Sequence, residues 1–193
     1  MSLPQPAWQS SEYSSRSAFF EKVVEHVFVA ELLQESIYRH GVTMEVLRSE
    51  IDASGYDLVL ECNEVLRYVQ LKTSYEGSKT SRQKIHIALA NKPSGCVIWI
   101  IRHEDADSAR MKLSYRYFGG AAGEPLPSLS GFPVAKHTKG NAEGFKAERP
   151  SMRVVAQKHF QSILTTQELF SKLFGQISKP ALTDSASLAF VPE

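Results

Sequence analysis

Apolar side chains recur with helical spacing between residues 15 and 39, where Phe20, Val23, Val24, Val27, Ala30 and Ile37 fall along one stripe. That period predicts a long amphipathic helix. Ser14, Ser15 and Ser17 are available as caps at its start, and Gly41 stops it. The period then shortens to two. "VTMEVLRSE" (42–50) reads as a first strand, and "DASG" (52–55) as a turn in which Gly55 can take a positive φ. "DLVLECNEVLRYVQLK" (57–72) reads as a hairpin with Asn63 and Glu64 at its tip. "KIHIALA" (84–90) alternates, with Ile85, Ile87 and Leu89 on one face, as in a half-buried strand. "CVIWIIR" (96–102) is apolar without alternation, the mark of a central strand covered on both sides. "HEDADSAR" (103–110) reads as an acidic surface loop, and "MKLSYRYF" (111–118) alternates again.

Beyond Gly119 the pattern fades. Residues 119–153 are rich in Gly and Pro and read as one long basic loop. "TTQELFSKLFG" (165–175) restores helical spacing, with Thr165 or Thr166 as cap and Gly175 as stop. The expected organisation is a loose arm (1–12), a single domain (13–175) and a disordered tail (176–193). One long helix, several strands and a short helix predict an α/β fold with a central mixed β-sheet flanked by helices.

Composition narrows the function classes. The net charge is +1, so any nucleic-acid binding has to come from local patches. The longest apolar run is far too short to cross a bilayer, and the first residues lack a secretory pattern. A cytoplasmic protein with no membrane partner is expected. Two cysteines, Cys62 and Cys96, sit in strand-like stretches and read as buried reduced thiols. There is no CxxC, HExxH or zinc-type spacing. "FGGAAGEP" (118–125) lacks the Lys and Ser/Thr of a phosphate-binding loop.

The hairpin carries the chemistry. With Asn63 and Glu64 at the tip, paired residues sum to 127, so Asp57 faces Gln70, Val59 faces Tyr68 and Gly55 faces Lys72. Gln70 and Lys72 are two apart and point the same way. Facing Cβ atoms lie about 4.5–5.5 Å apart, which gathers Asp57, Gln70 and Lys72 into a triangle. Leu58, Leu60, Val69 and Leu71 form the opposite, core-facing side. A carboxylate and an amide carbonyl are hard oxygen donors suited to Mg²⁺ or Mn²⁺. A lysine beside them can orient or deprotonate water, or stabilise phosphate charge. The plainer reading of the same three residues is a solvated hairpin face.

An Asp on one strand followed by Gln-x-Lys on the next, after an acidic helix, resembles the PD-(D/E)XK nuclease superfamily, which has the restriction-endonuclease-like fold. The Q-x-K form is similar to the Mrr-like branch of restriction enzymes. The resemblance covers roughly residues 15–102 and implies an αβββαβ core. It makes Asp57 the metal-binding acid, Gln70 the counterpart of the second acid and Lys72 the catalytic lysine. Tyr56 stands where the superfamily has proline, and the neutral Gln70 leaves the metal one formal charge short. The resemblance implies a helix glutamate as a further ligand. Glu25, with Phe28, Val29 and Leu32 at i+3, i+4 and i+7, is the first choice, before Glu21 and Glu31. Glu61, at the far end of the hairpin, reads as a solvated charge.

Lys79, Arg82 and Lys84 follow the hairpin, and Lys136, Lys139, Lys146 and Arg149 dot the long loop. Both sets are placed to hold a phosphate backbone. Ser74 could touch a phosphate, and His86 could approach the site. The expectation is therefore an Mg²⁺- or Mn²⁺-dependent nuclease acting on nucleic acid, DNA above all. Cutting both strands calls for two sites, hence a possible homodimer. The alternative is a nuclease-fold module that binds nucleic acid or a protein without cutting.

Overall fold

The run Cys96–Ile101 is buried along its whole length, and the rest of the chain is arranged around it. The computed structural model describes residues 16–51, 54–105, 110–139 and 144–177. The expected arm (1–12) and nearly all of the expected tail (176–193) lie outside the described residues. In chain order the elements are α1 (Ser17–Gln34), running on into a π-helical turn (Glu35–His40), then β1 (Met44–Arg48), β2 (Leu58–Cys62) and β3 (Val65–Tyr75). Next come β4 (Arg82–His86), a 3-10 turn (Ile87–Asn91), β5 (Gly95–Asp105) and β6 (Arg110–Gly119). The chain closes with β7 (Val134–Lys136), β8 (Glu148–Ala156), a 3-10 turn (Gln157–His159), β9 (Gln161–Ile163) and α2 (Thr166–Phe174).

The strands form a six-stranded sheet, β1-β2-β3-β5-β6-β9, and a three-stranded sheet, β4-β8-β7. β3 and β5 are parallel and the other neighbours antiparallel, so the large sheet is mixed. Alternation along β5 explains why its sequence is apolar throughout. Cys96, Ile98 and Ile100 join the core formed with Val24, Phe28 and Leu32 of α1 and Leu169, Phe170 and Leu173 of α2. Val97, Trp99 and Ile101 join a second core with Ile85 of β4, Val155 of β8 and Phe160. Each side chain leaves the strand on the opposite face from the last. The molecule is thus layered, with helices, large sheet and small sheet in that order. The expectation of a mixed sheet in an α/β fold is met, but among the described residues both helices cover one face and the small sheet covers the other.

Four local expectations change. Ile37 was placed on the buried stripe, yet it is 57% exposed while Ser36 is fully buried. The wider π turn rotates the helix face there, before Gly41 closes it at φ +67°. The strand read over 84–90 stops at His86, whose Nδ1 accepts from the Ala88 N–H and starts a 3-10 turn. The long loop read over 119–153 is only partly loop, because β8 pairs with β4 through its end and with β7 through its start. β5 also runs on through Asp105, paired with Arg110 of β6, into the stretch expected as an acidic loop over 103–110. Elsewhere the strands at 44–48, 58–75 and 110–119 follow the pattern, and Thr165 caps α2 by accepting from the Glu168 N–H.

Arg67 of β3 is fully buried on the helix side of the sheet. Its guanidinium donates to the carbonyls of Leu173 and Lys172 in the last turn of α2, and to those of Gly120, Ala121 and Glu124 in the loop after β6. The negative end of the α2 dipole suits a cation there. Cys96, close by, is buried and free, and burial pushes its thiol up to about 12.

Two stability changes follow. Arg67→Met strips these carbonyls of their donor, and urea unfolding should show a loss of about 3 kcal/mol or more. At the hairpin tip Asn63 and Glu64 both have positive φ (49° and 65°), the geometry of a type I′ turn. Glycine takes that conformation without strain, so Glu64→Gly should raise stability by about 1 kcal/mol, read as a rise of roughly 2–4 °C in melting temperature.

Candidate active site

The β2–β3 register is the one the sequence predicts, with Leu58 facing Val69, Val59 facing Tyr68 and Cys62 facing Val65. The ladder ends at Leu58, and Asp57 sits one residue beyond it. There it is fastened three ways. Its N–H donates to the Val69 carbonyl (2.8 Å), its carbonyl accepts from the Ser49 N–H (3.0 Å), and its carboxylate Oδ2 accepts from the Leu71 N–H (2.6 Å). The carboxylate thus lies against the β3 backbone between Gln70 and Lys72.

Gln70 and Lys72 leave β3 on the face away from the helices. Their register partners on β5, Val97 and Trp99, belong to the core beneath the small sheet. Gln70 is 4% exposed, and its Oε1 accepts from the His86 N–H of β4 at 3.3 Å. Lys72 is half-buried. His86 also packs against the turn before Asp57. Gly55 has φ +75°, and a Cβ there would stand 2.6 Å from the His86 Cβ, so only glycine fits. His86 thus touches both Gln70 and the turn before Asp57. Ser74, two residues past Lys72, accepts from the Trp99 Nε1–H at 2.8 Å.

The helix glutamates are differently engaged. Glu25 is 8% exposed, as its stripe position suggested, but its carboxylate takes Lys22 at 2.8 Å and Arg48 of β1 at 2.9 Å. Arg48 faces Leu58 across the β1–β2 ladder, and the following residue, Ser49, holds the Asp57 carbonyl. Glu25 therefore reaches the Asp57 end of the sheet through its pairing with Arg48. Burial pushes the Glu25 carboxyl up, but the hydrogen bonds and charges of Lys22 and Arg48 outweigh that and hold it below its ordinary value. Glu31 accepts from Tyr115 Oη (2.8 Å) and Thr166 Oγ1 (2.6 Å), linking α1 to β6 and α2. Glu21 and Glu61 are exposed. Among the described residues no three His, Cys, Asp or Glu side chains converge as a metal-binding group.

The basic residues spread over the small sheet. Arg82 and Lys84 lie on β4 opposite Ala156 and Val154 of β8, Lys136 ends β7, and Arg149 of β8 faces Ala135. Lys84 Nζ donates to the Lys136 carbonyl at 3.0 Å, so two stretches more than fifty residues apart meet. Lys79 is exposed just before β4, and Lys139 and Lys146 are exposed around the β7–β8 turn. Residues the sequence reading passed over also line this side of the large sheet. Arg116 stacks on Trp99, and His103 bridges Glu76 (3.2 Å) and Ser114 (2.7 Å). Their signal was available in the alternation of β5 and β6.

No protein-family model matches the chain, and no curated protein matches it either. Among the described residues no helix is long and apolar enough to cross a membrane.

The Glu25 pairing has a pH signature. Its folded pKa is depressed, so it contributes stability above the ordinary carboxylate value of 4.5, and that contribution is lost as pH falls through the folded value. Glu25→Gln should therefore lower stability at pH 7 and flatten the acid limb below pH 4.5, measured by urea unfolding at a series of pH values.

Proposed function

We propose that the chain is a metal-dependent nuclease of the PD-(D/E)XK type that hydrolyses phosphodiester bonds in DNA. The observation that carries this reading is Asp57 Oδ2 held at 2.6 Å against the backbone between Gln70 and Lys72. That contact holds an acid against the stretch of β3 backbone that bears the Gln70 amide and the Lys72 amine. The order of elements supports it too. A helix, an antiparallel meander β1-β2-β3 and a parallel β5 follow the αβββαβ plan, although β4 and a 3-10 turn occupy the crossover where that plan has its second helix.

The donor set fits a hard divalent cation, since Asp57 supplies a carboxylate and Gln70 an amide carbonyl. Asp57 and Gln70 would hold Mg²⁺ or Mn²⁺, whereas Glu25 is engaged on the helix side of the sheet by Lys22 and Arg48. When bound, the ion supplies Lewis acidity toward a phosphate oxygen and makes a bound water more acidic. Lys72 orients the attacking water and stabilises the charge that develops on the phosphate. The small sheet excludes water from the inner side of Gln70 and presents Lys84, Lys136 and Arg149 to the backbone.

A second reading is a nuclease-fold module that binds without cutting. It is favoured by one observation, the engagement of Gln70 Oε1 by His86, which competes with a metal for the same lone pairs.

Supercoiled plasmid incubated with the protein and Mn²⁺ decides between them. Cleavage is expected in Mn²⁺ and is abolished by EDTA. Lys72→Ala and Asp57→Ala should each lower the rate by about 10²–10⁴-fold. Gln70→Glu should reduce the metal concentration needed for half-maximal rate. Cleavage that survives both alanine variants would refute the assignment, and binding without cleavage would establish the second reading.

A further inference from the structure

The sheet face that carries Gln70 and Lys72 runs on past the edge of the small sheet into a recess of about 260 Å³, lined by Ser74, Trp99, His103, Ser114, Arg116 and Ser162 among others. Lys72, Trp99, Arg116 and Ser162 are successive register partners across β3, β5, β6 and β9. Cross-strand partners project to the same side, so these four form one row. Strands are about 4.8 Å apart, which sets the Lys72 and Arg116 backbones roughly 10 Å apart, on either side of Trp99.

Arg116 is the unusual member. Its guanidinium lies over the Trp99 ring, 4.7 Å from the centroid. Trp99 is in turn immobilised by its hydrogen bond to Ser74 and an edge contact with Phe160 at 5.5 Å. Among the described residues no carboxylate pairs with Arg116 and no acceptor takes its N–H groups. The nearby acid, Glu76, is 71% exposed and turned to His103, whose other ring nitrogen meets Ser114. A planar cation with five donors, pre-set by stacking and walled by serine hydroxyls, matches an oxyanion with several acceptor oxygens.

We propose that this recess holds a phosphate of a nucleic-acid strand that crosses the sheet from Lys72 to Arg116. The anion site stands on Arg116, Trp99 and the serines alone, whereas the identity of the strand rests on the proposed nuclease function. Arg116 clamps a phosphate next to the one at Lys72, and the exposed Tyr75 at the rim offers a ring for a base.

Anisotropy titration of the full chain with a labelled single-stranded DNA in EDTA, at graded salt, tests this. Arg116→Gln should weaken binding about tenfold and reduce the slope of log affinity against log salt by about 0.7. Ser162→Asp, at an exposed position opposite Arg116, sets a carboxylate against the guanidinium and should give a similar loss with Arg116 still stacked on Trp99. Inorganic phosphate should compete with the oligonucleotide for the wild type. Wild-type affinity and slope in both variants, or a wild type that binds no oligonucleotide, would overturn the proposal. Arg116-dependent binding by a protein that cuts nothing in Mn²⁺ would uphold the recess and remove the nuclease reading. Lys72-dependent cutting indifferent to Arg116 would do the reverse.

Discussion

A charge without a counter-charge organises this molecule. Arg67 lies in the core, and its hydrogen bonds go to main-chain carbonyls instead of to an acid. Burying a guanidinium is costly unless its donors are satisfied. Here they are satisfied only when the end of α2 and the turn after β6 both reach β3. One side chain thus requires elements far apart in sequence to assemble on the strand that also carries Gln70 and Lys72. Tyr117 adds to the same knot by donating from Oη to the Gly120 carbonyl at 2.8 Å, with burial pushing its hydroxyl up so that it stays a neutral donor.

On the far side of that strand the polar groups stand in a different regime. The helix-face acids are closed off, Glu25 by two cations and Glu31 by two hydroxyls. Tyr115, which serves Glu31, is held protonated by burial and by the carboxylate beside it, against the pull of Thr166. The sheet therefore separates neutralised acids, which knit the helices to the strands, from the face where Lys72 and Arg116 present positive charge. Asp57 lies at the boundary, tied by its backbone to β1 and by its carboxylate to β3.

Much of this was legible where the determinants are local. The hairpin register follows from a two-residue tip, and the central strand follows from six apolar residues whose neighbours differ on each face. The cap and stop of α2 are set by Thr165 and Gly175 within a single turn. Non-local pairing was opaque. β8 is a strand because β4 lies beside it, and β7 because it pairs with β8, and nothing within their own Gly- and Pro-rich stretch announces it. "KIHIALA" keeps its alternation past His86, but a side-chain cap ends the strand, which periodicity cannot register. Arg67 could have been found, since it shares parity with Val65, Val69 and Leu71 on the core-facing side. The apolar stripe around Glu25 was legible, and Glu25 is buried on it, but its partner Arg48 lies on another element and no local pattern shows that pairing.

The parallel pairing of β3 with β5 has a temporal consequence. Residues 76–94 must carry the chain back along the whole sheet, and β4 within that return finds its own neighbour only in β8. A nascent chain that has just released residues 57–72 therefore owns its acid, amide and amine, but not the His86 amide or the cover that seats them. Such long-range closure is slow and late. The seat of Gln70 beneath β4 is therefore complete only after β8 has emerged and paired, when most of the polypeptide has been made.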